Sequence, residues 1–255
     1  MAQRSYRLTD AGREAWEGQD AAVPADYRRI LWMMDFQGHE GVADGLLSLY
    51  PKEMLDEWLA EMEEIGLIET VPEGEQLEGD FVPGQNDQTV ALDKASLQQA
   101  VQLAGTSLAR TGAFIATDRL NSRPAPNKAA GESVILIVED DPDQLALADL
   151  RLHMAGYRVR VANSVNAFLQ AMLDEGAPDL LLLDVMLPDG DGFDVLSKMR
   201  RHQALGSLPI VMLTAKNEPA DIGRGLVLGA DGYITKPYTK NILADVIRRV
   251  LKHSA

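Results

Sequence analysis

At 255 residues, with 46% hydrophobic side chains and no cysteine, the chain has room for two ordinary domains and excludes both disulfide frameworks and thiolate metal sites. Its formal net charge of −15 disfavours DNA and anionic membranes as partners, and no apolar run approaches the ~20 residues that span a bilayer. The opening MAQRSYRLTD lacks a signal-peptide core, so a reducing cytoplasm is the expected setting.

The acidity is concentrated upstream. Residues 1–120 hold 9 Lys/Arg against 22 Asp/Glu, whereas residues 131–255 hold 13 against 17. After the phrase YRLTDAGREAWEG, apolar spacing predicts a helix around Ile30, Leu31 and Met34, a second around Leu46, Leu47 and Tyr50, and a third around Leu55, Leu59 and Met62. Gly66 ends the third helix, and a short strand Leu67-Ile68-Glu69 follows. This order resembles a winged helix-turn-helix, and residues 1–90 are expected to form a small, mostly α, winged-helix-like domain. The helix in the recognition position carries one base, Lys52, among Glu53, Asp56, Glu57, Glu61, Glu63 and Glu64. Such a helix lacks the cations that offset phosphate in a major groove, so a docking face for a protein partner is expected in place of DNA. Trp16, Trp32 and Trp58 are expected to fill the core.

Val71–Gln88 is rich in glycine, proline and acids and offers little to bury. Residues 91–120 then read as a connecting helix. Its stripe of Leu97, Val101, Ala104, Leu108, Thr111 and Ile115 is either packed on the upstream domain or offers a homodimer contact through residues 92–118, although Thr111-Gly112 interrupts it. Residues 121–132, NSRPAPNKAAGE, read as an extended linker.

From 133 to 255 the pattern alternates. Apolar runs at 134–138, 159–161, 180–183, 209–213 and 232–235 are short enough for strands, and helical stretches follow each of them. That predicts an α/β fold, a doubly wound five-stranded parallel sheet with both faces covered. Chemistry in such sheets gathers at the carboxyl ends of the strands. There stand Glu139-Asp140-Asp141, Asp184, Thr214 and Lys236-Pro237. Asp141 before Pro142 reads as a helix N-cap. Thr214 alone would be an ordinary cap, Lys236 a loop lysine, and Asp184 a turn acid. Converging Glu139, Asp140 and Asp184 would repel one another by roughly 4 kcal/mol per close pair at an effective dielectric near 20. All-oxygen ligands in a small acidic pocket suit Mg2+, and a lysine and a hydroxyl at the rim suit a phosphoryl group.

The segments ILIVEDDPDQ, LLLDVMLPDGDGFDVL, PIVMLTA and GADGYITKP resemble, in order and spacing, the receiver domain of bacterial two-component response regulators. The resemblance implies that Asp184 is the phosphoacceptor and that Asp140, Asp184 and the backbone carbonyl of Met186 hold magnesium, with Glu139 acting through water. It implies that Lys236 and Thr214 bind the phosphoryl oxygens, that Tyr233 is the switch aromatic, and that Pro237 follows a cis peptide. Two positions depart from the pattern. Asn241 and Asp245 replace the acid and base through which many DNA-binding relatives pair, and Gly232 replaces a second acid. The implied partner is a sensor histidine kinase or phosphotransfer protein, and the chain is not expected to be an enzyme beyond its own phosphorylation and autodephosphorylation. Only Ser254 and Ala255 follow His253, so the output is expected in residues 1–120, through a protein partner. The alternatives are a DNA-binding transcriptional regulator with reversed domain order and a metal-dependent phosphohydrolase. Against the latter, Met186 stands where an acid serving the leaving group would be.

Overall fold

The computed structural model describes residues 5–17, 23–37, 50–71, 94–121, 128–202, 205–215, 219–239 and 241–253. The predicted helix around Leu46 and Leu47, most of the soft stretch 71–88, and the centre of the linker lie outside these residues. The chain divides into two compact units, Met1–Gln85 and Asn86–Ala255.

In the first unit, strand β1 (Ser5–Leu8) leads into helix α1 (Asp10–Glu17), followed by α2 (Ala25–Gln37), α3 (Lys52–Glu64) and strand β2 (Ile68–Val71). β1 and β2 pair antiparallel, with Leu8 opposite Ile68. Thr9 explains the opening YRLT–G phrase. Its hydroxyl accepts from the Gly12 amide at 3.0 Å, capping α1, and donates to the Gly66 carbonyl at 2.7 Å. Gly12 lies so close to the Leu67 carbonyl that a Cβ would collide with it. The predicted helical stripe is buried at Ile30, Leu31 and Met34, and Trp32 stacks on Phe36 with centroids 5.2 Å apart. Trp58 is half-buried between the rings of Tyr27 and Tyr50. The outer face of α3 exposes Glu53, Asp56, Glu57, Glu61 and Glu64.

The second unit begins with α4 (Lys94–Thr111), β3 (Ala113–Ile115) and α5 (Thr117–Asn121), and a short 3-10 turn at Ala130–Glu132 precedes the alternating core. That core comprises β4 (Val134–Val138), α6 (Pro142–Met154), β5 (Arg158–Ala162), α7 (Val165–Glu175) and β6 (Leu180–Asp184). A small hairpin of β7 (Met186–Leu187) and β8 (Gly190–Asp191) leads into α8 (Gly192–Arg201). Then come β9 (Ile210–Thr214), α9 (Pro219–Val227), β10 (Gly232–Thr235) and α10 (Ile242–Val250). The central strands are apolar on both faces, as a sheet covered on both sides requires. Ile135, Ile137, Leu180, Leu182, Val211 and Ile234 pack with Ala148 and Leu152 of α6 and with Leu243, Val246 and Ile247 of α10. Asp141 caps α6 as expected, accepting from the amides of Asp143 and Gln144.

The expected five parallel strands form, β10-β9-β6-β4-β5, and the expected strand count is corrected by a sixth, β3, at the β10 edge, which makes the sheet mixed. The extra strand β3 runs antiparallel to β10, with Phe114 opposite Tyr233. α4 belongs to the same unit and packs on α9, so residues 94–121 are part of the α/β unit and not a connector between domains. The physical reason is edge protection: without β3, β10 would present a row of unpaired backbone groups. Bonds from Ala116 N to Asp231 O and from Thr235 N to Gly112 O, both 2.9 Å, extend the seam beyond the strand pairs. Gly112 takes a φ of +73°, which turns the chain from α4 into β3.

The base of β10 is held by a buried ion pair. Asp231, fully buried, accepts from Arg200 Nη2 at 2.7 Å and from the Ile210 amide at 2.8 Å, and Arg119 Nε lies 3.5 Å away. Asp231→Ala strands a buried guanidinium and a buried amide. It is expected to lower stability by about 3–5 kcal/mol in urea unfolding, with Asp231→Asn losing less.

Candidate functional site

Parallel pairing fixes which strand ends meet. Val138 lies beside Leu183, Asp184 beside Leu213, and Thr214 beside Thr235. The residues just past these positions therefore share one rim. Glu139, Asp140 and Asp184 each bring a carboxylate oxygen to within 4.8 Å of the others, forming the one cluster of this type among the described residues. Glu139 is fully buried, Asp184 is buried and Asp140 is exposed, so the cluster opens to solvent on the Asp140 side.

Lys236 enters from the end of β10. Its Nζ lies 2.6 Å from Glu139 Oε2 and 2.6 Å from Asp184 Oδ2, one ammonium shared by two buried carboxylates. The Lys236–Pro237 peptide is cis. Asp184 Oδ1 accepts from the Met186 amide and Glu139 Oε1 from the Asp141 amide, each at 3.3 Å. Burial pushes the Glu139 carboxyl above its ordinary range; the Asp184 charge adds to the rise, and Lys236 opposes it.

The other expected residues occupy neighbouring positions. Thr214 is buried at the end of β9. Tyr233 is buried two residues below Thr235, and its hydroxyl faces the Ile222 carbonyl of α9 at 3.5 Å, away from the carboxylates. Burial raises its phenol above the ordinary tyrosine range.

Three supporting residues escaped the sequence reading. Gly225 faces the Tyr233 hydroxyl so closely that a Cβ would collide with it, and Gly192 stands in the same relation to the Asp184 carbonyl, letting α8 start against the end of β6. Tyr238 roofs the cluster: its hydroxyl donates to Gln144 O at 3.3 Å, Arg151 lies over its ring, and burial followed by the Glu139 charge pushes its phenol to about 12. A glycine in a helix was the available signal for Gly225, but its tyrosine partner could be found only in three dimensions.

The Response regulator receiver domain family matches residues 135–248. A transcriptional regulatory protein, GltR, of Pseudomonas aeruginosa is 42% identical over 120 residues, which are 47% of this chain and 49% of that protein. The DNA-binding dual master transcriptional regulator RpaA of Synechocystis is 38% identical over 121 residues, 47% of this chain and 49% of that protein. Among solved structures, the signal receiver domain of a histidine kinase from Syntrophus aciditrophicus is 32% identical, covering 47% of this chain and 90% of that one, with a TM-score of 0.44. The chain spans about half the length of the curated relatives it matches.

Residues 135–248 are thus a response regulator receiver domain, homologous to those of transcriptional response regulators. This overturns two expectations, an output through a protein partner and the exclusion of DNA, because the matching relatives are named as transcriptional regulators. The acid count of one helix was the wrong guide. Within residues 92–118, Ala104 and Leu108 of the stripe are buried, α4 packs on α9 of its own chain, and Leu103 is exposed. Among the described residues no helix is long and apolar enough to cross a membrane.

The raised Glu139 carboxyl has a signed consequence. A folded-state pKa above the unfolded one gives stability that is fully present below the unfolded value and is lost as pH rises through the folded value. With a chelator present, urea midpoints are expected to fall as pH is raised from about 4 towards neutrality, and Glu139→Gln is expected to flatten that part of the fall.

Proposed function

We propose that the protein is a response regulator in which Asp184 takes a phosphoryl group from a sensor histidine kinase or phosphotransfer protein, and that phosphorylation controls binding to DNA. The observation that carries the first half is Lys236 Nζ held 2.6 Å from both Asp184 and Glu139 at the rim of the parallel sheet. An ammonium so placed can bond a phosphoryl oxygen as soon as one arrives on Asp184.

The donor set fits a small hard cation. Three carboxylates gather beside one ammonium that pairs with two of them, all the ligating atoms are oxygens, and one side is open to water. Asp140, Asp184 and the Met186 carbonyl would hold magnesium directly, and Glu139 would do so through water. When bound, the ion offsets the negative charge gathered on the phosphoryl oxygens and the attacking carboxylate.

An Asp184 carboxylate oxygen attacks phosphorus as the bond from phosphorus to the kinase histidine nitrogen breaks; with a proton on its other nitrogen, the ring takes the electron pair and leaves as neutral imidazole, and an acyl phosphate remains on Asp184. Lys236 then bonds a phosphoryl oxygen, and the Thr214 hydroxyl donates to another. Tyr233 follows the space that Thr214 vacates. Phosphorylation biases an existing equilibrium between two arrangements. Autodephosphorylation is hydrolysis: water attacks the phosphorus, its bond to the Asp184 oxygen breaks, and inorganic phosphate leaves the restored carboxylate; no turnover of an external substrate is assigned. A cytoplasmic setting goes with such a kinase partner.

The unit Met1–Gln85 is read as winged-helix-like, on the support of α2 and α3 preceding a strand, β2, that pairs with β1. Relatives named as transcriptional regulators support DNA as its target. The acids on the exposed face of α3 repel phosphate, so affinity is expected to be modest and only weakly strengthened by lowering the salt.

With magnesium and a small phosphodonor, the protein is expected to gain one phosphoryl group detectable by mass, and Asp184→Asn to gain none. Labelling of that variant, or labelling in the presence of a chelator, would show the acceptor or mechanism to be wrong. For the output, the phosphorylated chain is expected to select duplex sequences from a random pool at low salt. A pool left unenriched by both forms, with no salt-dependent retention, would remove DNA as the target.

A further inference from the structure

The first elements of the second unit are woven into the edge of the sheet beside Lys236. Thr235, the residue preceding Lys236, donates its amide to the Gly112 carbonyl at 2.9 Å, and its hydroxyl lies 3.3 Å from the same oxygen. Gly112 is the junction between α4 and β3. One residue along β10, Ile234 pairs with Ala113, and Tyr233 pairs with Phe114, placing both aromatic side chains on one face. At the other end of the contact, the Val101 methyl of α4 lies against Gly223 of α9, the helix that also carries Ile222 and Gly225 around the Tyr233 hydroxyl. Gly232 is part of the same fit: a Cβ there would stand 2.9 Å from the Phe114 carbonyl, so the departure from an acid at this position is what lets β3 lie flat on β10.

From this geometry we infer that Lys94–Ile115 is a strap that reports the state of Asp184 to the chain upstream of it, and that phosphorylation loosens its hold on β10 and α9. This rests on Asp184 being the phosphoacceptor. In the arrangement described, Lys236 bonds Asp184 directly. A phosphoryl group inserted between them displaces the Lys236 ammonium, and the backbone that carries this load is the end of β10, where Thr235 bonds the Gly112 carbonyl. A shift of Tyr233 acts on the same seam through Phe114, and through α9 on Val101. Both routes lead to the strap, which carries no side chain of the phosphate site. The coupling is reciprocal: if a phosphoryl group weakens the strap, a weakened strap favours the phosphoryl group.

Hydrogen exchange on the full chain, with and without magnesium and beryllofluoride as the phosphoryl mimic, tests this. The amides of residues 98–116 are expected to exchange faster when the mimic is bound, while those around Asp184 become protected. Protection at Asp184 with unchanged or slower exchange in the strap overturns the strap alone. No protection at Asp184 overturns the phosphoacceptor reading, and the trigger for the strap with it. Two variants probe the reverse direction: Gly232→Ala crowds β3, and Val101→Asp unseats α4. Each is expected to bind magnesium–beryllofluoride roughly 5-fold or more tightly, within the usual range of coupling between two sites. Unchanged or weaker affinity in a folded variant of either kind overturns the inference.

Discussion

The second unit is organised by one constraint, the parallel register that places the ends of β4, β6, β9 and β10 side by side. Each strand is buried on both faces, so a slip by two residues would keep every side chain on an apolar face while dispersing the polar residues at its end. Register is instead held by what surrounds the strands. Asp231 pins the start of β10 to the Ile210 amide and to Arg200. Asp179 accepts the Val134 amide at 2.8 Å at the foot of β4. A buried acid, Asp231, and a half-buried one, Asp179, at the bottom of the sheet thus keep the acids at its top in place.

The upper cluster is costly in itself. Glu139 and Asp184 are taken out of water with one ammonium between them, and Asp140 lies close by. A buried pair of this kind contributes little net stability, because desolvation offsets most of the attraction. Its persistence in a well-packed sheet is therefore better explained by chemistry than by folding. The separation of tasks is visible in the chain: Asp231 is enclosed and ion-paired with Arg200 and Arg119, whereas the Glu139–Asp184 cluster is open on one side and short of positive charge.

Much of this was legible in the sequence, and what was not has physical causes. The strands of the α/β core are long apolar runs, so their positions and the residues at their ends could be read directly. Strand β3 is three residues long, Ala-Phe-Ile, and nothing local separates it from the tail of a helix. Thr111-Gly112 read as a flaw in the α4 stripe, yet it is the turn that makes β3 possible. Tyr233 was found only through its motif, since its partner Gly225 lies in another helix. Counting charge on α3 described that face correctly, with its exposed acids, but a surface charge does not name a binding partner.

Gly232 shows how a change in one residue can follow from a change in architecture. Glycine in a strand costs conformational entropy and gives up packing, roughly 0.5–1 kcal/mol relative to alanine. At an exposed sheet edge that loss would have nothing to offset it, and an acid would also guard the edge against intermolecular pairing. Once β3 covers the edge, the guard is redundant and a side chain is an obstruction, because the Phe114 carbonyl would lie only 2.9 Å from its Cβ. Asp245 also borders the added segment. Asp245 lines a cavity of about 360 Å³ with Leu103, Ser107 and Phe114 of the added segment, so this side of α10 faces the chain's own helix and strand.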